Sequence, residues 1–327
     1  MRCLITGGCG FVGRHFAKRL ADDGHNIVVV DDFSTGRHPK DWAFKPNNGP
    51  YSVSVRRMDC RDFFRGQEQA QDFDLIIHCA AVVGGRLKIE GDPLAVATDL
   101  AIDSDFFRWC VVPPAAGASL PRKVVYFSSS AVYPTDMQRR GDHEPLKESY
   151  IDFTHDYVSM PDATYGWSKL TGELLAQYAA KTYGLDVVTY RPFSGYGEDQ
   201  DEAYPFPAII RRVVNREDPI VIWGSGEQLR DFIHIDDVVE AVMQTKDKLA
   251  PGEVLNLGSG EGVSFTTLAA NAASLVPFVP KIVTDPTKPE GVFARVADVT
   301  KMRQFYTPKV SLVEGIRRSL DYVRRTM

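Results

Sequence analysis

Up to Arg191, short runs of continuous apolar, β-branched sequence alternate with stretches in which apolar residues recur every third or fourth position. Arg2–Thr6, Asn26–Asp31, Ser52–Met58, Asp74–His78, Lys123–Ser128 and Asp186–Arg191 read as strands. They are too apolar for one face to meet water, which predicts a parallel sheet covered on both sides. Helical periodicity marks Val12–Asp23, closed by Gly24, then Ala97–Cys110, then Tyr165–Tyr183, closed by Gly184. Strands alternating with helices through right-handed crossovers give a doubly wound α/β fold. Beyond Arg191 the β-runs become isolated, at Ile220–Trp223, Phe232–Ile235, Val254–Leu257 and Lys281–Thr284. Helices are predicted at Phe206–Arg216, Asp236–Lys246, Phe265–Val276 and Ser311–Arg325.

Thr6-Gly-Gly-Cys-Gly-Phe-Val-Gly13 sits between the first strand and the first helix. Gly7 permits a tight turn, Gly10 lets the backbone approach a pyrophosphate, and Gly13 lets helix and strand pack closely. Phe11 and Val12 then present free N–H groups at a helix N-terminus, where the dipole favours phosphate. The second strand ends at Asp31-Asp32, where a carboxylate can accept from an adenosine ribose diol. Asp32 is the first choice and Asp31 the alternate; either repels a 2′-phosphate, so NAD is favoured over NADP, with Arg37 near enough to matter. Asp59-Cys60 either meets the adenine amino group or forms an ordinary turn, and Ala80 and Ala81 leave room for a cofactor across the strand tips. The expectation is a Rossmann-like NAD-binding domain over residues 1–192, with segments around 230–260 returning to it, and a smaller mixed α/β substrate-binding domain over 193–327.

The 327 residues are 44% hydrophobic and 25% charged, ordinary for a globular protein, which excludes disorder and coiled coil. A net charge of −5 with no basic block argues against a nucleic-acid partner. No apolar run reaches the roughly 18–20 residues that span a bilayer, and no leader pattern opens the chain, so a cytoplasmic protein without a membrane partner is expected. Cys3, Cys9, Cys60, Cys79 and Cys110 form no C-x-x-C pair, which suggests neither disulfides nor a metal site.

Tyr165 and Lys169 stand four residues apart, one turn apart on one helix face. A neighbouring ammonium lowers a phenol's pKa from about 10 and makes it a usable acid/base. Ser128-Ser129-Ser130 ends the fifth strand, at the sheet edge where a ligand would sit.

Taken together, GGCGFVG, DD, HCAA, SSSAVYP, YGWSK, Arg191-Pro-Phe-Ser-Gly-Tyr-Gly197, Arg230-Asp-Phe-Ile-His-Ile-Asp-Asp237 and Asn256-Leu-Gly-Ser-Gly260 resemble the extended short-chain dehydrogenase/reductases, specifically the NAD-dependent nucleotide-sugar epimerase/dehydratase family. The resemblance implies a catalytic set of Ser129, Tyr165 and Lys169, and cofactor contacts from Tyr165, Lys169, Arg191 and Pro192. It implies a tightly held NAD that oxidises a sugar carbon, usually C4, and later returns the hydride. Val83, Gly84, Gly85, Arg86, Ser130 and Ser194 are candidate substrate contacts, and Arg230 and Arg295 candidate ligands of a substrate diphosphate.

Within the family, Ala80–Arg86 and Lys288–Lys301 are similar to GDP-L-fucose synthase and GDP-mannose 3,5-epimerase. Those enzymes use a further acid/base pair: the cysteine position holds Ala131 here, and its partner falls on Asp199 by similarity to the synthase or approximately on Tyr204 by similarity to the epimerase. Epimerisation at C4 needs nothing beyond the three catalytic residues; Glu198, Asp199 and Tyr204 stay open as an unfamiliar pair. A net oxidoreductase, a 3- or 3,5-epimerase and an NAD-sensing regulator are the alternatives. Residues 135–163 read as a mobile lid or a solvated insertion, and His234 as structural. The family's paired dimer helices resemble Ala97–Cys110 and Tyr165–Tyr183, which implies a homodimer.

Overall fold

The computed structural model describes residues 1–42, 44, 52–112, 119–155, 158 and 160–327. Among them, seven strands form one sheet in the spatial order Val254–Leu257, Val187–Pro192, Val124–Phe127, Leu75–His78, Arg2–Thr6, Asn26–Asp31, Val53–Arg57. Every neighbouring pair is parallel. The chain starts in the middle, runs outward to Val53–Arg57, then crosses to the other side of Arg2–Thr6. Strand order therefore reverses between Arg2–Thr6 and Leu75–His78, and the crevice beyond their carboxyl ends is where this topology holds ligands.

The apolar runs are buried on both faces. Leu4, Val28, Val30, Ile76 and Val124 pack under Phe64, Phe106 and Ala176 on one side. Cys3, Ile5, Val29, Ile77 and Val125 pack under Phe16, Leu20, Val238 and Val242 on the other. The first helix is Phe11–Asp22, and Gly10 at its start caps it with no side chain, which leaves the terminal N–H groups for a ligand. The long helices Thr98–Val111 and Ala163–Tyr183 lie side by side on the opposite face.

The C-terminal lobe has its own apolar cluster, in which Phe206, Ile210, Phe232, Leu268, Ile316 and Leu320 meet. Strand Leu229–His234 is the centre of a small separate sheet. It pairs with Ser194–Tyr196 in parallel, with Gly262–Ser264 antiparallel, and with Ala294–Arg295 in parallel. It begins three residues before the predicted Phe232, because Arg230 and Asp231 hide a strand that is polar at its start. Short helices Arg86–Gly91 and Pro93–Val96 precede the predicted long helix, and the two- and three-residue strands are too short to show a period.

The stretch 135–163 is docked where it is described, residues 156, 157 and 159 lying outside the described residues. Leu146 bridges Ala297, Glu148 Oε1 accepts from Asn256 N–H (2.9 Å), and Thr135 N–H donates to the Met160 carbonyl (3.0 Å). Asp236 and Asp237 open a helix as expected, but neither caps it. His234 Nδ1 accepts from Asp236 N–H, while Asp237 accepts from the Tyr306 hydroxyl and from Lys309 and Val310 N–H.

Candidate active site

Gly7 carries φ +66°, and a Cβ there would stand 2.7 Å from Ala80 N. A Cβ on Gly13 would stand 2.5 Å from both the Gly7 carbonyl oxygen and Gly8 Cα. The turn thus brings strand tip, loop and helix N-terminus to backbone-to-backbone distance, with Gly10, Phe11 and Val12 at the lip and Ala80 and Ala81 opposite. Asp31 is buried against this loop: Oδ2 accepts from Cys9 N–H (2.9 Å) and Oδ1 from Phe33 N–H (2.8 Å). Asp32 is exposed and accepts from Ser34 N–H. Both Asp59 oxygens are held by Arg61, in part through its N–H, and Asp59 caps the helix Cys60–Phe64. Cys60 is a buried thiol pushed up to about 12 by enclosure.

Ser129, just past the end of strand Val124–Phe127, accepts from Ala131 N–H (3.1 Å), and its hydroxyl lies near enough to the Tyr165 phenol to favour the phenolate. Gly166 makes the approach possible, since a Cβ there would lie 2.5 Å from the Ala131 carbonyl oxygen. Lys169 lies one turn on, buried. The sequence-based expectation that Lys169 brings Tyr165 below its usual range is corrected. Enclosure raises the phenol's pKa by more than Lys169 and Ser129 lower it, and Asp99 and Asp103 add to the rise.

Those two carboxylates were not singled out from the sequence. Enclosure would push the Lys169 ammonium down, but Asp103 and then Asp99 more than reverse it and hold it protonated. Asp103 Oδ1 faces His78 Nε2 (3.1 Å), His78 Nδ1 faces the Thr6 hydroxyl (2.7 Å), and the Tyr126 hydroxyl donates to Asp103 Oδ2. Asp99 is 1% exposed; Oδ1 accepts from Val82 N–H (2.6 Å), while Oδ2 has no partner among the described residues. Burial pushes its carboxyl up to about 6. Two acids four apart on the buried face of one helix were the available signal.

Arg86, Arg230 and Arg295 lie close enough to feel one another's charge, and Arg295 also feels the Tyr165 phenol. Asp162 bridges Arg86 Nη1 (2.9 Å) and Arg295 Nη2 (2.8 Å), and Arg295 Nε donates to Gln138 (2.8 Å). Among the described residues Arg230 hydrogen-bonds only carbonyl oxygens, those of Leu229 (2.8 Å), Phe293 (3.4 Å) and Glu290 (3.5 Å), and lies over the Phe265 ring. Desolvation, then the repulsion of Arg295 and Arg86, lowers its pKa to about 9. Gly85 starts the Arg86 helix where a Cβ would meet the Ala203 carbonyl oxygen at 2.5 Å, with Val83 and Gly84 just before it.

Arg191, a candidate cofactor contact from the sequence, is corrected. The Arg191 side chain is 1% exposed and bound to Glu173 through two N–H···O contacts (2.8 and 2.6 Å) and to the Tyr133 hydroxyl (3.0 Å), so it is structural and offers a cofactor no side-chain donor. Pro192 ends that strand beside Leu257, and Ser194 pairs with Phe232. Ser130 is buried in the turn after Ser129. Asp199 is fixed under the glycine helix by Arg14 Nε (2.8 Å) and His15 Nε2 (2.9 Å). Burial would raise its pKa, but those hydrogen bonds hold it well below the carboxylate range. Glu198 faces His234 Nε2 at 3.3 Å. Tyr204 is held protonated by its enclosure and by Tyr165 nearby.

The family model "NAD dependent epimerase/dehydratase family" matches residues 3–258. A UDP-N-acetyl-alpha-D-glucosaminuronate decarboxylase of Bacillus cytotoxicus is 28% identical over 99% of this chain and 98% of its own. GDP-L-fucose synthase 1 of Arabidopsis thaliana is 29% identical over 98% of this chain and 92% of its own. Among solved structures, MoeE5 in complex with UDP-glucuronic acid and NAD superposes with a TM-score of 0.78 at 28% identity, covering both chains in full.

Proposed function

This chain belongs to the NAD dependent epimerase/dehydratase family, and from that premise we propose that it is a nucleotide-sugar epimerase acting at C4 through a transient 4-keto sugar. The observation that carries the reading is the pairing of an intact Ser129–Tyr165–Lys169 set with the absence, among the described residues of the site, of a free second acid/base pair. Ala131 offers a methyl group, Asp199 is locked to Arg14 and His15, and Tyr204 keeps its proton.

The cofactor is NAD, and the cradle fits it. Gly7 and Gly13 leave backbone where side chains would collide, the helix Phe11–Asp22 has an N-terminus without a side-chain cap, and Asp99 Oδ2 is a buried acceptor without a donor among the described residues. Gly10, Phe11 and Val12 would meet its pyrophosphate, and Asp31 its adenosine ribose, with Asp32, Asp59 and Cys60 at the rim. Ala80, Ala81 and Pro192 would line its path, and Lys169 would hold the second ribose. When bound, NAD takes hydride from the sugar and gives it back.

Tyr165 takes the C4 hydroxyl proton and returns it at the end of the cycle, so no proton need leave the site. Ser129 donates to the same oxygen and fixes it within reach of the phenol. Lys169 keeps its charge because Asp103 and Asp99 favour the ammonium, and that charge favours the phenolate. Arg86, Arg230 and Arg295 receive the diphosphate, whose two phosphates match their forks of donors. Val83, Gly84, Gly85, Ser130 and Ser194 border the sugar. The exposed apolar side chains of the two long helices support a homodimer.

The test is incubation with UDP-, GDP-, CDP- and dTDP-sugars, uronates included, without added cofactor, followed by product NMR in deuterated water. C4 inversion without deuterium uptake is the expected result. Deuterium at C3 or C5, loss of the uronate carboxyl, or turnover that appears only when NAD is supplied and then consumes it stoichiometrically each overturns the C4 assignment.

A further inference from the structure

Asp162 takes part in none of these steps, yet three parts of the site meet at it. Its carboxylate accepts from Arg86 and Arg295. Its backbone N–H donates to the Ala131 carbonyl (2.9 Å), two residues beyond Ser129. Its own carbonyl accepts from Gly166 N–H (2.9 Å), the residue after Tyr165. Ala163, next in the chain, holds φ +55°, a left-handed conformation that alanine seldom adopts without being held there. One residue is thus hydrogen-bonded at once to the cations of the anion site and to the backbone on both sides of the Ser129–Tyr165 contact.

Charge makes the arrangement exchangeable. Two of the three guanidinium groups, Arg86 and Arg295, share this carboxylate; Arg86 also meets Glu90 Oε1 (3.1 Å), and Arg230 is left with carbonyl oxygens among the described residues. Phosphate oxygens satisfy a guanidinium fork as well as a carboxylate does, and a diphosphate carries more charge. An arriving diphosphate and the Asp162 carboxylate therefore compete for the same N–H groups of Arg86 and Arg295.

We propose that Asp162 is a positioning residue that couples the arginine cluster to Tyr165: the substrate's diphosphate displaces its carboxylate from Arg86 and Arg295, and the released turn at 161–166 resets Tyr165 against Ser129. The proposal rests on reading the cluster as the diphosphate site. The phosphates then do more than anchor the nucleotide, because their arrival brings the acid/base to its working position.

The experiment uses NAD-saturated protein and titrates pyrophosphate, UDP and GDP calorimetrically into wild type and Asp162→Asn. Removing the competing charge is expected to tighten all three by about five- to tenfold. With whichever nucleotide sugar the wild type turns over, KM and kcat are both expected to fall, and Asp162→Glu to restore kcat. Unchanged or weaker anion binding in Asp162→Asn overturns the coupling while the cluster reading stands, provided Arg230→Ala abolishes binding. Anion binding that ignores Arg230 overturns the cluster reading and the coupling with it. Should Asp162→Asn not fold, hydrogen exchange of wild-type residues 160–166 decides: faster exchange on adding pyrophosphate supports the proposal, and no change there overturns it.

Discussion

Tyr165 sits between opposed influences, enclosure raising its pKa and Lys169 lowering it. The sign of the pH dependence follows. The phenol must lose its proton before it can take one from the sugar, so turnover rises with pH along an acid limb. Lys169→Met removes the lowering influence, and the limb is expected to move to higher pH in a profile of kcat against pH. Tyr165→Phe removes the acid/base and is expected to lower kcat by about 10²–10⁴-fold with an unchanged circular dichroism spectrum. Asp99 gives a prediction of opposite character, read in stability. Its carboxyl is pushed up to about 6 in the folded chain, so the fold favours the protonated form. The stability this confers is complete below the unfolded value near 4 and is lost as pH rises through about 6. Asp99→Asn keeps an acceptor for Val82 N–H without the charge. Urea unfolding is expected to show the variant more stable by about 2–3 kcal/mol at pH 8, with the gain shrinking toward pH 4.

At the scale of elements, the glycine turn and the Arg191–Glu173 pair are the joints that tolerate least. Gly13→Ala puts a methyl group against the Gly7 carbonyl and Gly8 Cα, backbone that has nowhere to go. Thermal unfolding should show a loss of about 1–3 kcal/mol, together with loss of co-purifying NAD. Glu173→Gln leaves the Arg191 guanidinium buried and unpaired between strand Val187–Pro192 and helix Ala163–Tyr183, at a cost of about 3–5 kcal/mol measured by denaturant midpoint. The same two joints mark how far the sequence could be read. Gly13 was legible because its requirement is local: a glycine at a fixed offset between strand and helix. Arg191 was misassigned because its partners lie far off in the chain, Glu173 18 residues away and Tyr133 58. Asp99, Asp103 and Asp162 were missed for that reason too, since each acquires meaning only from Lys169, His78 or Arg295, brought in by the fold. Strands buried on both faces declared themselves as unbroken apolar runs, whereas Leu229–His234, which carries the charged pair Arg230 and Asp231 near its start, did not.

The whole molecule uses helix Ala163–Tyr183 twice. One face carries Tyr165 and Lys169 into the crevice. The other leaves Trp167 and Tyr178 about 43% and 56% exposed, eleven positions apart and so on one stripe. Leu100 adds a 39% exposed side chain on the neighbouring helix Thr98–Val111, and Tyr183 is exposed at the helix end. Apolar side chains held on two packed, rigid helices form a surface that a second copy can cover about a two-fold axis, since one patch then meets itself. Sedimentation equilibrium is expected to give twice the chain mass, and the wild-type thermal midpoint to rise with protein concentration, because unfolding then also dissociates the pair. Tyr178→Glu places a charge in the middle of that stripe, nine residues beyond Lys169 and away from the crevice. It should sediment as a single chain with a concentration-independent midpoint while still retaining NAD. A wild type that already sediments as one chain would leave the stripe without a partner and remove the second use of this helix.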